Sequence, residues 1–287
     1  MNTARAYLEL TKPGITLFIG MTAAAGFVTA RGRFDLPLAF SVAVAATMLM
    51  SGGAAALNQV FEARWDALMR RTSKRPVPAG IVDLRNARLF AWSLSFAGSA
   101  VSLAFLPWQT SLFLALCHVS YVFVYTPLKR RTPLCTLAGA VPGALPVLAG
   151  WTAAGAVIDV AALALTGVLF MWQIPHFLAI GWLTREDYAR AGCPMLGVVE
   201  PAGHASARVS FVYTAAMLVC AVVLGMVTPT GALYMAAAAA TGAAYVACAW
   251  GMVRQPGQRP ARQLFFTSLV VLPVLLSALM ADLLLSA

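Results

Sequence analysis

Asn58, Glu62 and Asp66 fall at i, i+4 and i+8 in a stretch that carries no proline or glycine from Ala54 to Ser73. On an α-helix this spacing stacks the three side chains along one face. An amide and two carboxylates make an oxygen-rich stripe of the kind Mg2+ favours, because that ion takes hard oxygen ligands and fills its shell with water and substrate phosphate. Arg71, Thr72 and Arg75 follow just beyond the stripe, and a guanidinium offers phosphate oxygens a planar fork of donors. Carboxylates alone would repel a diphosphate. Carboxylates with a divalent cation and arginines form a site for one.

Three further segments hold polar groups that could do chemistry. Tyr125-Thr126-Pro127-Leu128-Lys129-Arg130-Arg131-Thr132-Pro133 has three consecutive cations, which suit either diphosphate neutralisation or anchoring on anionic lipid headgroups. In Trp172-Gln173-Ile174-Pro175-His176-Phe177, Gln173 and His176 stand three apart on one helical face. Pro175 between them is expected to kink or break the helix, and polar groups at depth beside a proline line a cavity. Glu186 and Asp187 are adjacent in sequence, so they form a thinner metal signal than the first stripe. His118 and His204 have no such company and read as structural. The five cysteines include no C-x-x-C pair, so they read as packing residues rather than a zinc or disulfide framework.

The elements that must position these groups follow from composition. Hydrophobic residues are 61% of the 287 and charged residues 10%, against about 45–50% and 25% in soluble domains. Ten percent charge cannot cover the wet surface of a soluble fold, and disorder needs low hydrophobicity. The chain is therefore all-α and polytopic, a single membrane domain over residues 1–287. Nine apolar runs are long enough to span, at about 14–30, 37–57, 88–106, 108–125, 134–153, 157–180, 207–227, 231–251 and 264–285. Helix two is expected to run on past 57 through the Asn58–Asp66 stripe to about Ser73, since no breaker intervenes. With the N-terminus in the cytoplasm, all but Arg31 and Arg33 of the 20 lysines and arginines face inward. The first run shows no cleavage site and reads as a span rather than a leader. The longer inner loops carry the stripe, the cation run and the acidic pair, so the active site is expected at the cytoplasmic end of the bundle. At that membrane edge Asn58 and Glu62 are expensive unless they serve a function.

Taken together, these segments resemble the UbiA-type membrane prenyltransferases and, within them, the branch that farnesylates heme. Asn58-x3-Glu62-x3-Asp66-x2-Met69-x-Arg71-Thr72-x2-Arg75-Pro76 is similar to the first acidic motif and its tail. Leu128-Lys129-Arg130-Arg131-Thr132-Pro133, Trp172-Gln173-Ile174-Pro175-His176-Phe177 and Asp187-Tyr188-x2-Ala191-Gly192-x-Pro194-Met195-Leu196 resemble later motifs in order. The likeness runs from Leu8-Glu9-Leu10-Thr11-Lys12-Pro13 to Val199, and the last three spans match only in hydrophobicity. Glu62 stands where many relatives have Asp, Cys135 where Asn is common, and Gly197 where Pro is common. Thr184 and Tyr188 stand where the wider superfamily has carboxylates, which thins the second acidic motif.

The resemblance implies transfer of farnesyl from farnesyl diphosphate to a vinyl group of heme b. Heme O and diphosphate would be the products, and heme–copper oxidases the destination. It implies Mg2+ as cofactor, with Asn58, Glu62 and Asp66 holding the metal–diphosphate and Glu186 or Asp187 holding a second ion or orienting its water. Arg71, Arg75, Lys129 and Arg131 would bind phosphate oxygens, and His176 would face the porphyrin as axial ligand or as base. The placement of charge is expected to put the protein in a bacterial-type inner membrane with the C-terminus outside and without nucleic acid as partner; the insolubility of heme suggests a membrane protein that delivers heme or accepts heme O, though no motif identifies one. Two other readings remain open: a prenyltransferase acting on an aromatic quinone precursor, and a transporter or lipid-binding protein.

Overall fold

The computed structural model describes residues 2–33 and 35–285. Asn2 caps a short helix α1 (Thr3–Leu10) by accepting the Ala4 N–H on its side chain. Nine apolar helices long enough to cross a membrane follow among the described residues. They are α2 (Pro13–Arg31), α3 (Pro37–Asp66), α4 (Leu84–Phe105), α5 (Trp108–Val119) with its extension, α7 (Cys135–Ala153), α8 (Val160–Leu183), α11 (His204–Val227), α12 (Ala232–Arg254) and α13 (Gln258–Leu285). The extension of α5 is a π-helical stretch, Ser120–Tyr125, that leads into one last turn, α6 (Thr126–Leu128). Two short helices, α9 (Arg185–Arg190) and α10 (Leu196–Val199), lie in the link after α8. The nine spans coincide with the nine apolar runs of the sequence. Large apolar side chains such as Leu38, Phe96, Phe105 and Met226 are exposed along the outside, as a lipid-facing surface requires.

Two local expectations change. Helix α3 ends at Asp66 rather than near Ser73. The Thr72 hydroxyl donates to the Asp66 carbonyl at 2.9 Å, and the Arg70 and Arg71 N–H groups turn to Asp187. These contacts offer the backbone partners other than the next helical turn. Helix α8 runs unbroken through Pro175, as membrane helices do when neighbouring helices re-satisfy the freed backbone groups.

Helix α7 lies at the centre, touching α2, α3, α5 and α8, while α13 packs on α8, α12 and α2 and so closes the ring of helices. The approach of α2 to α7 depends on glycine. A Cβ on Gly26 would sit 2.2 Å from the Val147 carbonyl oxygen, and one on Gly150 would sit 1.8 Å from that of Ala23. Small residues let backbones meet in lipid, where no hydrophobic force drives the helices together. The largest buried cluster joins α8 to α11, α12 and α13 through Leu169, Trp172, Met217, Tyr245 and Leu272. At the opposite end from Asp66, Asp282 of α13 accepts the N–H groups of Gly231 (2.6 Å) and Tyr234 (3.0 Å) at the start of α12. It acts as an N-cap supplied from another helix. Asp282→Ala should lower stability by about 1–2 kcal/mol, read as a lower unfolding temperature in detergent.

Candidate active site at the charged end of the bundle

The last turns of α3 present Asn58, Glu62 and Asp66 on one face, and all three are buried, Asp66 completely. Each meets a cation from a different segment. Lys12 Nζ donates to Asn58 Oδ1 at 3.1 Å. Lys129 Nζ pairs with Glu62 Oε2 at 2.9 Å. Arg75 Nη1 pairs with Asp66 Oδ2 at 2.6 Å. Asn58 Nδ2 also donates to Thr126 Oγ1 at 3.2 Å, so the turn that carries Lys129 is tied to the same face. In each carboxylate the second oxygen is buried without a hydrogen-bond partner among the described residues: Glu62 Oε1 and Asp66 Oδ1. Buried carboxylate oxygens left unpaired are costly, and two of them on one helix face fit a hard divalent cation. Three cations surround two carboxylates here, and that excess suits a multiply charged anion.

Lys12 is a member of this site that sequence reasoning did not single out. The Gln59 side chain donates to the carbonyls of Leu10 (2.9 Å) and Glu9 (3.3 Å), fastening the end of α1 to α3. The chain then turns through Lys12 with φ +49°, the one non-glycine residue with positive φ among those described. Such a conformation costs energy in a residue with a Cβ, and here it delivers the ammonium to Asn58. Burial, and then the Arg75 cation, lower the Lys12 pKa to about 7. Lys129 moves the other way: burial opposes its charge, but the Glu62 carboxylate outweighs that and raises its pKa. The only sequence signal for Lys12 was its place in Thr11-Lys12-Pro13, at the mouth of the first span.

The second acidic segment is arranged differently from the first. Asp187 accepts the backbone N–H groups of Arg70 (3.3 Å) and Arg71 (3.2 Å) and pairs with Arg190, so its oxygens are engaged in holding the loop after α3. Glu186 and Arg131 are exposed and have no ion-pair partner among the described residues. No three His, Cys, Asp or Glu side chains converge on one point among those residues. Arg71 extends to the Tyr188 hydroxyl at 3.5 Å, and Lys129 lies 5.5 Å from the Tyr188 ring centre. Tyr188 thus stands between two candidate phosphate ligands. Met69, Cys135, Cys193 and Met195 pack under this loop and fix it against α7.

Gln173 and His176 point to different helices. Gln173 Nε2 donates to Leu169 O (2.9 Å) and Ala140 O (3.4 Å), against α7. It fits there because residue 143 is glycine: a Cβ would fall 1.7 Å from Gln173 Oε1. His176 faces α13, with Nδ1 2.7 Å from Ser268 Oγ and its ring stacked between Trp172 and Phe265.

The profile of the UbiA prenyltransferase family matches residues 18–270. The chain belongs to this family and is an integral membrane transferase. Among its relatives, two proteins named protoheme IX farnesyltransferase are close in sequence. That of Opitutus terrae is 39% identical over 280 residues, 96% of this chain and 94% of the relative. That of an Anaeromyxobacter species is 40% identical over 282 residues, 97% of this chain and 94% of the relative. Solved structures share the fold. One, from work on digeranylgeranylglyceryl phosphate synthase in membranes, has a TM-score of 0.81 at 15% identity and covers 99% of both chains. A UbiA homolog from Archaeoglobus fulgidus, bound to GPP and Mg2+, has a TM-score of 0.66 at 15% identity, covering 96% of this chain and 99% of that one.

Proposed function

We propose that this protein transfers the farnesyl group of farnesyl diphosphate to a vinyl group of heme b, giving heme O and free diphosphate. The relatives' shared name supports the reaction. The observation in the molecule that carries it is the pair of buried carboxylates, each with one oxygen held by a cation and the other unpartnered. Glu62 and Asp66, with Asn58, would hold Mg2+. When bound, the ion supplies charge neutralisation to the departing diphosphate. Arg75, Lys129, Lys12 and Arg71 bind the phosphate oxygens and are in place before the allylic C–O bond breaks, so they stabilise the charge that develops on the leaving oxygen. Asp187 keeps Arg70 and Arg71 in position through their backbone N–H groups. The rings of Tyr121 and Tyr125, stacked at 5.2 Å, and of Tyr188 offer electron-rich faces to the allylic cation. The terminal vinyl carbon of heme then bonds to that cation, which moves the positive charge to the ring-side carbon; water adds there and gives up a proton to complete the hydroxyethylfarnesyl side chain. The farnesyl chain and porphyrin belong among the apolar helices, and the diphosphate at the charged end.

The placement of cations supports an inner-membrane protein with the site and N-terminus in the cytoplasm and the C-terminus outside. Incubating membranes that contain the protein with farnesyl diphosphate and heme b should give a product of heme O mass. With 4-hydroxybenzoate in place of heme b, no prenylated product should form; the reverse result overturns the assignment.

His176 is assigned to the porphyrin, through the iron or a proton. His176→Ala should shift the Soret band of the heme-loaded protein if the imidazole binds iron. An unchanged band removes the ligand role and leaves the base role, which the product assay then tests.

A further inference from the structure

The hydrogen bonds around His176 bear on which of its two nitrogens carries the proton. Ser268 Oγ lies 2.5 Å from the Phe265 carbonyl, one turn back on α13, and donates its single proton there. The Tyr245 hydroxyl donates to Trp172 O at 3.1 Å, and the Trp172 indole N–H donates to Ser268 O at 2.8 Å. The Tyr245 hydroxyl is also within reach of the Ser268 side chain, but the Ser268 proton has its shortest bond to the Phe265 carbonyl. Ser268 Oγ is left with lone pairs facing His176 Nδ1 at 2.7 Å, and the bond forms only if Nδ1 carries the imidazole proton. Ser268 itself is completely buried, so water does not compete for that contact.

We infer that Ser268 is a positioning residue that holds His176 as the Nδ1–H tautomer and so presents an unprotonated Nε2 to heme b. The inference rests on the assignment of His176 to the porphyrin and goes further by naming the working atom and the group that selects it. Two rings fix the plane of the imidazole: Trp172 at 5.1 Å and 19°, and Phe265 at 5.2 Å and 29°. The indole bond ties the Trp172 ring to the Ser268 backbone, so the shelf that carries the imidazole and the hydroxyl that reads its proton move as one unit. His176 is only half-buried, and no protein group hydrogen-bonds its Nε2 among the described residues. An imidazole that binds iron through one nitrogen donates from the other in nearly every known site, and this donation orients the ring and raises its basicity. A base role needs the same free lone pair, so the tautomer serves both roles assigned to His176.

The test uses full-length protein in detergent, loaded with heme b and reduced. Wild type should show an iron–histidine stretching band in its resonance Raman spectrum, and His176→Ala should lack it. Ser268→Ala should keep the band at lower frequency and bind heme on the order of tenfold more weakly. Ser268→Thr, which keeps the hydroxyl, should restore both. Far-ultraviolet circular dichroism and the unfolding temperature identify variants that fail to fold, and Ser268→Cys, of similar size with a weaker acceptor, replaces any that do. If His176→Ala retains the wild-type band, the assignment of His176 to iron fails and the inference falls with it. If His176→Ala loses the band while Ser268→Ala matches wild type in both frequency and affinity, the assignment stands and the role of Ser268 is overturned.

Discussion

Asp66→Asn is expected to lower farnesyl transfer by roughly 10²–10³-fold, the cost of removing one well-placed group that stabilises developing charge. Asp66 is completely buried, and its Oδ2 is held by Arg75 at 2.6 Å while Oδ1 has no partner among the described residues. Asparagine keeps the shape but replaces one anionic oxygen with an NH2 group. In one flip state the amide turns that donor toward Arg75, and in the other it turns it toward the metal position. Either way the site loses a charge and a ligand. The spans do not depend on this residue, so the variant should reach the membrane at wild-type levels. Heme O mass formed per unit of membrane-inserted protein is the measurement. Turnover close to wild type would remove Asp66 from the metal–diphosphate site.

Lys129→Met should destabilise the protein by about 3–5 kcal/mol, because it leaves Glu62 buried without its partner. Both members of the pair are almost fully enclosed, with side-chain exposures of 9% and 6%. Since Glu62 raises the Lys129 pKa, the stability contributed by the charged Lys129 is fully present below the ordinary lysine range. It fades only as pH rises through the higher folded value. The double variant Glu62→Gln with Lys129→Met removes both charges and should recover most of the lost stability, yet it should stay inactive. Thermal unfolding in detergent, read beside product formation, separates the two effects. A single variant as stable as wild type would show that water reaches Glu62 freely. An active double variant would show that the pair is structural only.

How much of this was legible in advance differs between the spans and the site. The nine spans are plain in the sequence because lipid imposes one requirement, a continuous apolar run of about 20 residues, and this chain meets it without ambiguity. The stripe Asn58, Glu62, Asp66 was legible for a similar reason: a helical period is local, and helix α3 keeps it as far as Asp66. The stop at Asp66 was not, because it depends on Thr72 and on Asp187, a residue more than a hundred positions away. Lys12 was missed because its role arises from Gln59 pulling the end of α1 onto α3, a contact with no sequence period. Gln173 and His176 looked like one polar face, yet α7 takes the first and α13 the second.

By itself the sequence determined the class of protein, the number of spans, the end of the bundle where charge collects and the residues that form its first acidic stripe. These are consequences of composition and short-range period, which hold whatever the helices pack against. Only the tertiary structure decided which cation meets which carboxylate, which oxygens are left without a partner, that Asp187 serves a loop, and that Ser268 faces His176. Apart from Arg75 with Asp66, those are pairings between segments distant in the chain. They are set by how closely backbones approach, as at Gly26 and Gly150, and by the cost of leaving a buried polar group unpaired where little water can supply a partner.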